Sequence, residues 1–197
     1  MKIKDNKINI QIKYLLFFLF LYLTIFVGYY FNEDNLGGAI HDSTYHFKIS
    51  EKFNQNFYQT FSDFGGSEVG MSSRNSPIFW IFLSLLDKFF SYDTIRTLNT
   101  VVILFTGVVF YKCLLLKFQN TTTINLFILS SFIFLSPSLR SLAIWPYSLA
   151  WGLLFFVVSI YYYLKFNNNF TFKNSCIILF FLILSSYIYP SFSVFYL

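Results

Sequence analysis

The chain has 197 residues, of which 56% are hydrophobic, 24% aromatic and only 12% charged. An average soluble domain carries about a quarter charged residues, so this chain cannot clothe a water-facing surface in polar groups, and lipid is the simplest solvent for it. The formal charge of +5 does not form a basic stripe, which argues against a nucleic-acid partner. Cys113 and Cys176 sit in apolar runs without CxxC spacing, and read as packed thiols rather than redox or metal groups.

In chain order, residues 1–13 form a polar tail with Lys2, Lys4, Lys7 and Lys13, expected in the cytoplasm. The run YLLFFLFLYLTIFVGYYF, residues 14–31, carries no charge and covers most of a hydrocarbon core of about 30 Å. A basic start followed by an apolar run also describes a signal peptide, but the run is long and no A-x-A site follows. It reads as an uncleaved first span.

Residues 32–96 are expected as a large outer loop containing juxtamembrane helices. Within it, Tyr45, Ile49, Phe53, Phe57 and Phe61 recur every four residues, which predicts an amphipathic helix on the membrane surface. The Pro-led segment 77–90 is about 21 Å long as a helix, too short to cross comfortably, and Asp87 and Lys88 break its end. Apolar runs over 97–116, 124–142, 148–164 and 175–197 supply four more spans.

The lysines arbitrate the topology. If the segment from Pro77 does not span, Lys112, Lys117, Lys165 and Lys173 join the N-terminal lysines in the cytoplasm, and eight of nine acidic residues fall outside. The expectation is an all-α polytopic membrane protein with about five transmembrane helices, forming one transmembrane domain over 1–197. An apolar run reaching Leu197 suggests the N-terminal part of a longer protein. The Lys, Asn, Ile and Phe bias suits an AT-rich bacterial genome, placing the chain in the cytoplasmic membrane with its first loop periplasmic or extracellular.

Asp42, in GGAIHDSTYHF, is the first candidate for chemistry. A carboxylate at the outer bilayer surface can accept a proton from an incoming hydroxyl or help hold a cation. His46 follows one helical turn later and can face the same site. The plainer reading makes Asp42 the N-cap of the surface helix. Arg74, Lys88, Arg96 and Arg140 are outer-side cations, and an Arg fork suits a lipid phosphate, although snorkelling at a helix end is ordinary for Lys and Arg. Arg140, in SPSLRSLAIWP, is the most pointed of them. Trp80, Trp145, Trp151 and the tyrosines at 161–163 read as interface aromatics. No Walker loop, GxGxxG, HExxH or GxSxG occurs. Asn-x-Thr at Asn120 and Asn169 falls in loops expected to be cytoplasmic, away from glycosylation.

The order of elements resembles the GT-C superfamily of polyprenyl-phosphate-sugar-dependent glycosyltransferases, which includes protein mannosyltransferase-like and aminoarabinose transferase-like enzymes. A first span leads to an outer loop with an acid, HDSTYHFKISEKF. A Pro-led helix follows, NSPIFWIFLSLLDKFFSYD, similar to that family's PPLYY segment, then a span opening TIRTLNTVVILF and the Pro-containing LSPSLRSLAIWPYSLAWGLLFF. Ser43 stands where many relatives have a second acid, and Ser76 where they have the first Pro. The resemblance implies an inverting transfer of sugar from a polyprenyl-phosphate donor to a glycan, lipid or protein acceptor on the outer face. Asp42 would be the catalytic base. Arg74 would match the cation before the Pro-led helix, and Arg74, Arg96 and Arg140 would bind the carrier phosphate, beside the substrate contact that spacing gives His46, with room for a divalent cation. Two rivals remain: a non-catalytic or truncated membrane scaffold, and a transporter fragment, which would carry mid-membrane charges or repeated broken helices.

Overall fold

A computed structural model describes residues 2–35, 37–64, 76–167 and 171–196. Among these the fold is all-α, without a strand. The helices are α1 (Lys2–Tyr30), α2 (Ala39–Gln55), α3 (Phe57–Ser62), α4 (Ile78–Asp87), α5 (Tyr92–Lys117), α6 (Thr123–Phe134), α7 (Pro137–Ile144), α8 (Ser148–Phe166) and α9 (Phe172–Ile188), followed by a 3-10 helix, Pro190–Tyr196.

The long helices form an up-and-down bundle whose directions follow from its contacts. The ring of Phe17 lies 5.1 Å from that of Tyr111, and the Tyr29 hydroxyl is 3.4 Å from that of Thr97, so α1 and α5 are antiparallel. α8 runs parallel to α5, with the Cys113 thiol directed at the Val157 carbonyl. α9 returns along α8, where Ser185 donates to the Gly152 carbonyl at 2.8 Å. Gly152 allows this close approach, since a Cβ there would lie 3.0 Å from both Tyr189 and Phe192. At one end of the bundle lie Lys13, Lys112, Lys117, Lys165 and Lys173; at the other lie Glu33, Asp34, Asp42, Asp87 and Asp93. That second end also carries Lys48, Lys52, Lys88, Arg96 and Arg140, so most acids gather at one end while cations occur at both.

α5 and α8 are each long and apolar enough to cross a membrane. The apolar part of α1, Leu15–Tyr30, and α9 are shorter apolar helices. On α1, Leu15, Leu16, Leu19, Leu23, Phe26 and Val27 are all exposed, a continuous apolar face that water does not favour.

Two expectations about elements are corrected. The run 124–142 is not one helix: it breaks between α6 and α7, because Pro137 lacks an N–H and holds Ser136 extended at φ −57, ψ 128. The stripe from Tyr45 to Phe61 is not one helix either. Asn56 adopts an extended backbone, ends α2 and caps α3 by accepting from the Gln59 N–H at 3.2 Å. Only Ile49 and Phe53 of that stripe are buried, together with His46, Phe47 and Ser50, whereas Tyr45, Phe57 and Phe61 are exposed. The buried face of α2 packs on Phe79, Trp80 and Leu83 of α4 rather than lying free on a membrane surface. α4 itself has ten residues, roughly 15 Å, too short to cross a bilayer.

Candidate functional site

The acid-bearing end is held together by polar groups at helix termini. α7 ends with free carbonyls that its own turns cannot satisfy. Asn99 of α5, fully buried, donates to the carbonyls of Leu142, Ala143 and Trp145 at 2.7, 2.9 and 3.2 Å. Thr100 adds a bond to the Ala143 carbonyl at 2.9 Å. Arg96 donates from Nε to the Ile144 carbonyl and from Nη2 to Asn32 Oδ1, at 3.3 and 2.9 Å. Its guanidinium carbon lies 4.7 Å from the Tyr29 ring centroid and 4.1 Å from that of Trp145. Arg140 of α7 pairs with the Glu33 carboxylate at 2.8 Å, and Glu33 also accepts from the Asn35 side chain. The Trp145 indole donates to the Glu33 carbonyl at 3.0 Å. These bonds form a latch joining the end of α1, the start of α5 and the end of α7.

Beside the latch, α2 begins at Ala39, which packs against Ile144 and Trp145. Its N-terminus is satisfied by Asp34, whose carboxylate accepts from the Ala39 N–H at 3.0 Å and from those of Gly38 and Ile40 at 3.4 Å. Asp34 therefore does what the plainer sequence reading assigned to Asp42. Asp42 sits in the first turn of α2, exposed, and without a side-chain hydrogen bond or ion pair among the described residues. It lines a cavity of about 250 Å³ with Ala39, Leu142, Tyr147, Leu149 and Tyr189. Burial, then the neighbouring Tyr189 and Asp42, push the Tyr147 phenol up, so its hydroxyl stays protonated and can donate.

His46 lies one turn further along α2 but is buried, with 4% of its surface exposed. Its Nδ1 accepts from the Trp80 indole N–H at 2.7 Å, and its ring packs 5.3 Å from Phe79 and 5.1 Å from Tyr147. Nε2 is buried without a partner among the described residues. Burial pushes the imidazole from the ordinary 6.5 down to about 4, which keeps it neutral at physiological pH. Ser43, adjoining Asp42, is fully buried with its hydroxyl 3.3 Å from that of Tyr92. An acid at that position would be desolvated, a physical reason for the serine.

A stability prediction follows from His46. A folded pKa below the unfolded one means that the unfolded chain binds the extra proton between 6.5 and about 4. The contribution is fully present above pH 6.5 and is lost as pH falls toward about 4, up to roughly 3 kcal/mol. Thermal unfolding of the detergent-solubilised chain at pH 7 and pH 4.5 should show this loss, and His46→Gln should remove most of the difference. An identical pH response in both proteins would count against the burial account.

Of the five site residues expected from sequence, Asp42 and His46 come together at one turn of α2, with Tyr147 against both. Arg96 and Arg140 lie in the adjoining latch, each giving two of its donors to protein acceptors, and neither lines the Asp42 cavity. Arg74 lies outside the described residues. No three His, Cys, Asp or Glu side chains gather among the described residues, so no divalent-cation site is assembled there and no step below runs through one. Sequence reasoning did not find Asp34, Asn99, Tyr147, Tyr189 or the His46–Trp80 bond. Asp34 had a local signal, an acid just ahead of the Gly37-Gly38 pair; the others depend on tertiary contact. Comparison with protein-family models, curated proteins and solved structures finds no match to this chain.

Proposed function

We propose that this chain is all or part of a membrane glycosyltransferase that moves a sugar from a polyprenyl-phosphate donor to an acceptor on the outer face of the membrane. One observation carries the reading: Asp42, relieved of capping by Asp34, is an uncommitted carboxylate at a cavity holding two tyrosines. That cavity lies at the acid-bearing end of an apolar bundle.

The membrane topology belongs to the same proposal. α1, α5, α6 with α7, α8 and α9 make five crossings, with α2, α3 and α4 at the outer boundary. The lysine end faces the cytoplasm, as short Lys-bearing loops favour. A mostly apolar cleft of about 340 Å³ beside Phe105, Val109, Leu154, Phe155 and Val158, with Lys112 also on its wall, suits a prenyl chain. In the reaction, the acceptor O–H gives its proton to Asp42 as its oxygen attacks the anomeric carbon. The bond from that carbon to phosphate oxygen breaks, and the polyprenyl phosphate leaves with the electron pair. Asp42 works as a base here because an ionised carboxylate only accepts, and nothing in the described residues occupies it.

A non-catalytic scaffold is the second reading, favoured by the internal bonds of Arg96 and Arg140, each of which gives two donors to the fold. Membranes carrying the full-length protein, supplied with a labelled polyprenyl-phosphate sugar, separate the two. Transfer requires loss of donor with release of polyprenyl phosphate. Donor that survives unchanged across candidate acceptors, in membranes where the protein is folded, would support the scaffold.

A further inference from the structure

The bond between Trp80 on α4 and His46 on α2 has a consequence for what the cavity can receive. An indole N–H only donates, so Nδ1 of His46 must present a lone pair. In a neutral imidazole the proton then resides on Nε2. That Nε2–H is buried and has no acceptor among the described residues; the His46 ring does not itself line the Asp42 cavity but lies 5.1 Å from the ring of Tyr147, tilted by 55°, and Tyr147 does line it. One turn earlier, Asp42 offers only acceptors. A group meeting both must donate to a carboxylate and accept from an N–H. A hydroxyl does both. A phosphate or carboxylate is repelled by Asp42, and an ammonium has no lone pair for His46.

We propose that Trp80 is a positioning residue, which locks His46 as an Nε2–H donor to a neutral hydroxyl oxygen that enters the Asp42 cavity and displaces the Tyr147 ring. The substrate class rests on the sugar-transfer reading; the tautomer does not. The pair would also keep the cavity selective, because a donor that stays uncharged gives no general attraction to anions.

The test uses the full chain labelled with 15N-histidine in polyoxyethylene micelles. The chain has two histidines, and His41→Gln leaves His46 alone in the spectrum. Long-range nitrogen–proton correlations at pH 7 should show protonated Nε2 and unprotonated Nδ1, and Trp80→Phe should shift the ring to a mixture of both tautomers. Protonated Nδ1 in the unmodified chain would overturn the lock, and this arm needs no variant to fold. An unchanged pure Nε2–H form in folded Trp80→Phe would remove Trp80 as the positioning residue. Octyl glucoside should move the Nε2 signal more than octyl phosphate at equal concentration; an equal or larger effect of the phosphate would overturn the hydroxyl assignment. None of these readouts needs turnover, so loss of the transferase reading would appear separately, in the donor assay.

Discussion

Replacing Asp42 by Asn in the full-length protein is expected to lower sugar transfer by about 10²- to 10⁴-fold, the usual contribution of a general base. The substitution is nearly isosteric, and the site tolerates it. Asp42 is exposed, caps nothing, and makes no side-chain hydrogen bond or ion pair among the described residues. Expression and thermal unfolding should therefore match the parent protein, while the rate at which labelled donor is consumed collapses. The amide cannot take the acceptor's proton, so raising acceptor concentration should not restore the rate. Normal turnover in Asp42→Asn would remove this carboxylate from the chemistry.

Asn99→Ala is expected to destabilise the fold by about 2–4 kcal/mol, the cost of buried carbonyls left without partners. It withdraws three hydrogen bonds from the end of α7. Thr100 still serves the Ala143 carbonyl, but those of Leu142 and Trp145 lose their partner. Each buried acceptor left unsatisfied costs about 1–3 kcal/mol, with some relief because Asn99 Oδ1 is itself unpaired among the described residues. The end of α7 carries Trp145 and leads into Tyr147, so the latch and the cavity wall should loosen together. Thermal unfolding in detergent should show a clear fall for Asn99→Ala and almost none for Val101→Ala, an exposed position on the same helix. Equal midpoints for the two variants would mean that α7 is held by other contacts.

The physical basis of these predictions was unevenly legible in the sequence. Helical content, the polar segment after the first helix and the gathering of most acids at one end depend on composition and order, and all are present in the fold. The break at Pro137 and the break at Asn56 are local events, and both have local causes in the residues concerned. Periodicity smoothed over them because apolar residues continue on either side. Asp42 and His46 could be paired from their spacing alone, since four residues make about one helical turn. Their different burial could not, because it depends on α4, more than thirty residues away, bringing Trp80 onto His46. Arg96 and Arg140 show the same limit in reverse. In sequence they read as phosphate ligands, and in the fold each also gives two donors to Glu33, Asn32 or the carbonyl of Ile144. A cation at a helix end looks the same in sequence whether it serves a ligand or a latch.

Impermeant maleimide labelling of intact cells tests the orientation on which the functional account depends. Cys113 and Cys176 are first replaced by Ser, and single cysteines are placed at His41 and Gln119, both exposed and at opposite ends of the bundle. The account predicts rapid labelling at position 41 and labelling at position 119 only after the cells are opened. Protection at 41, or ready labelling of 119 from outside, would contradict it.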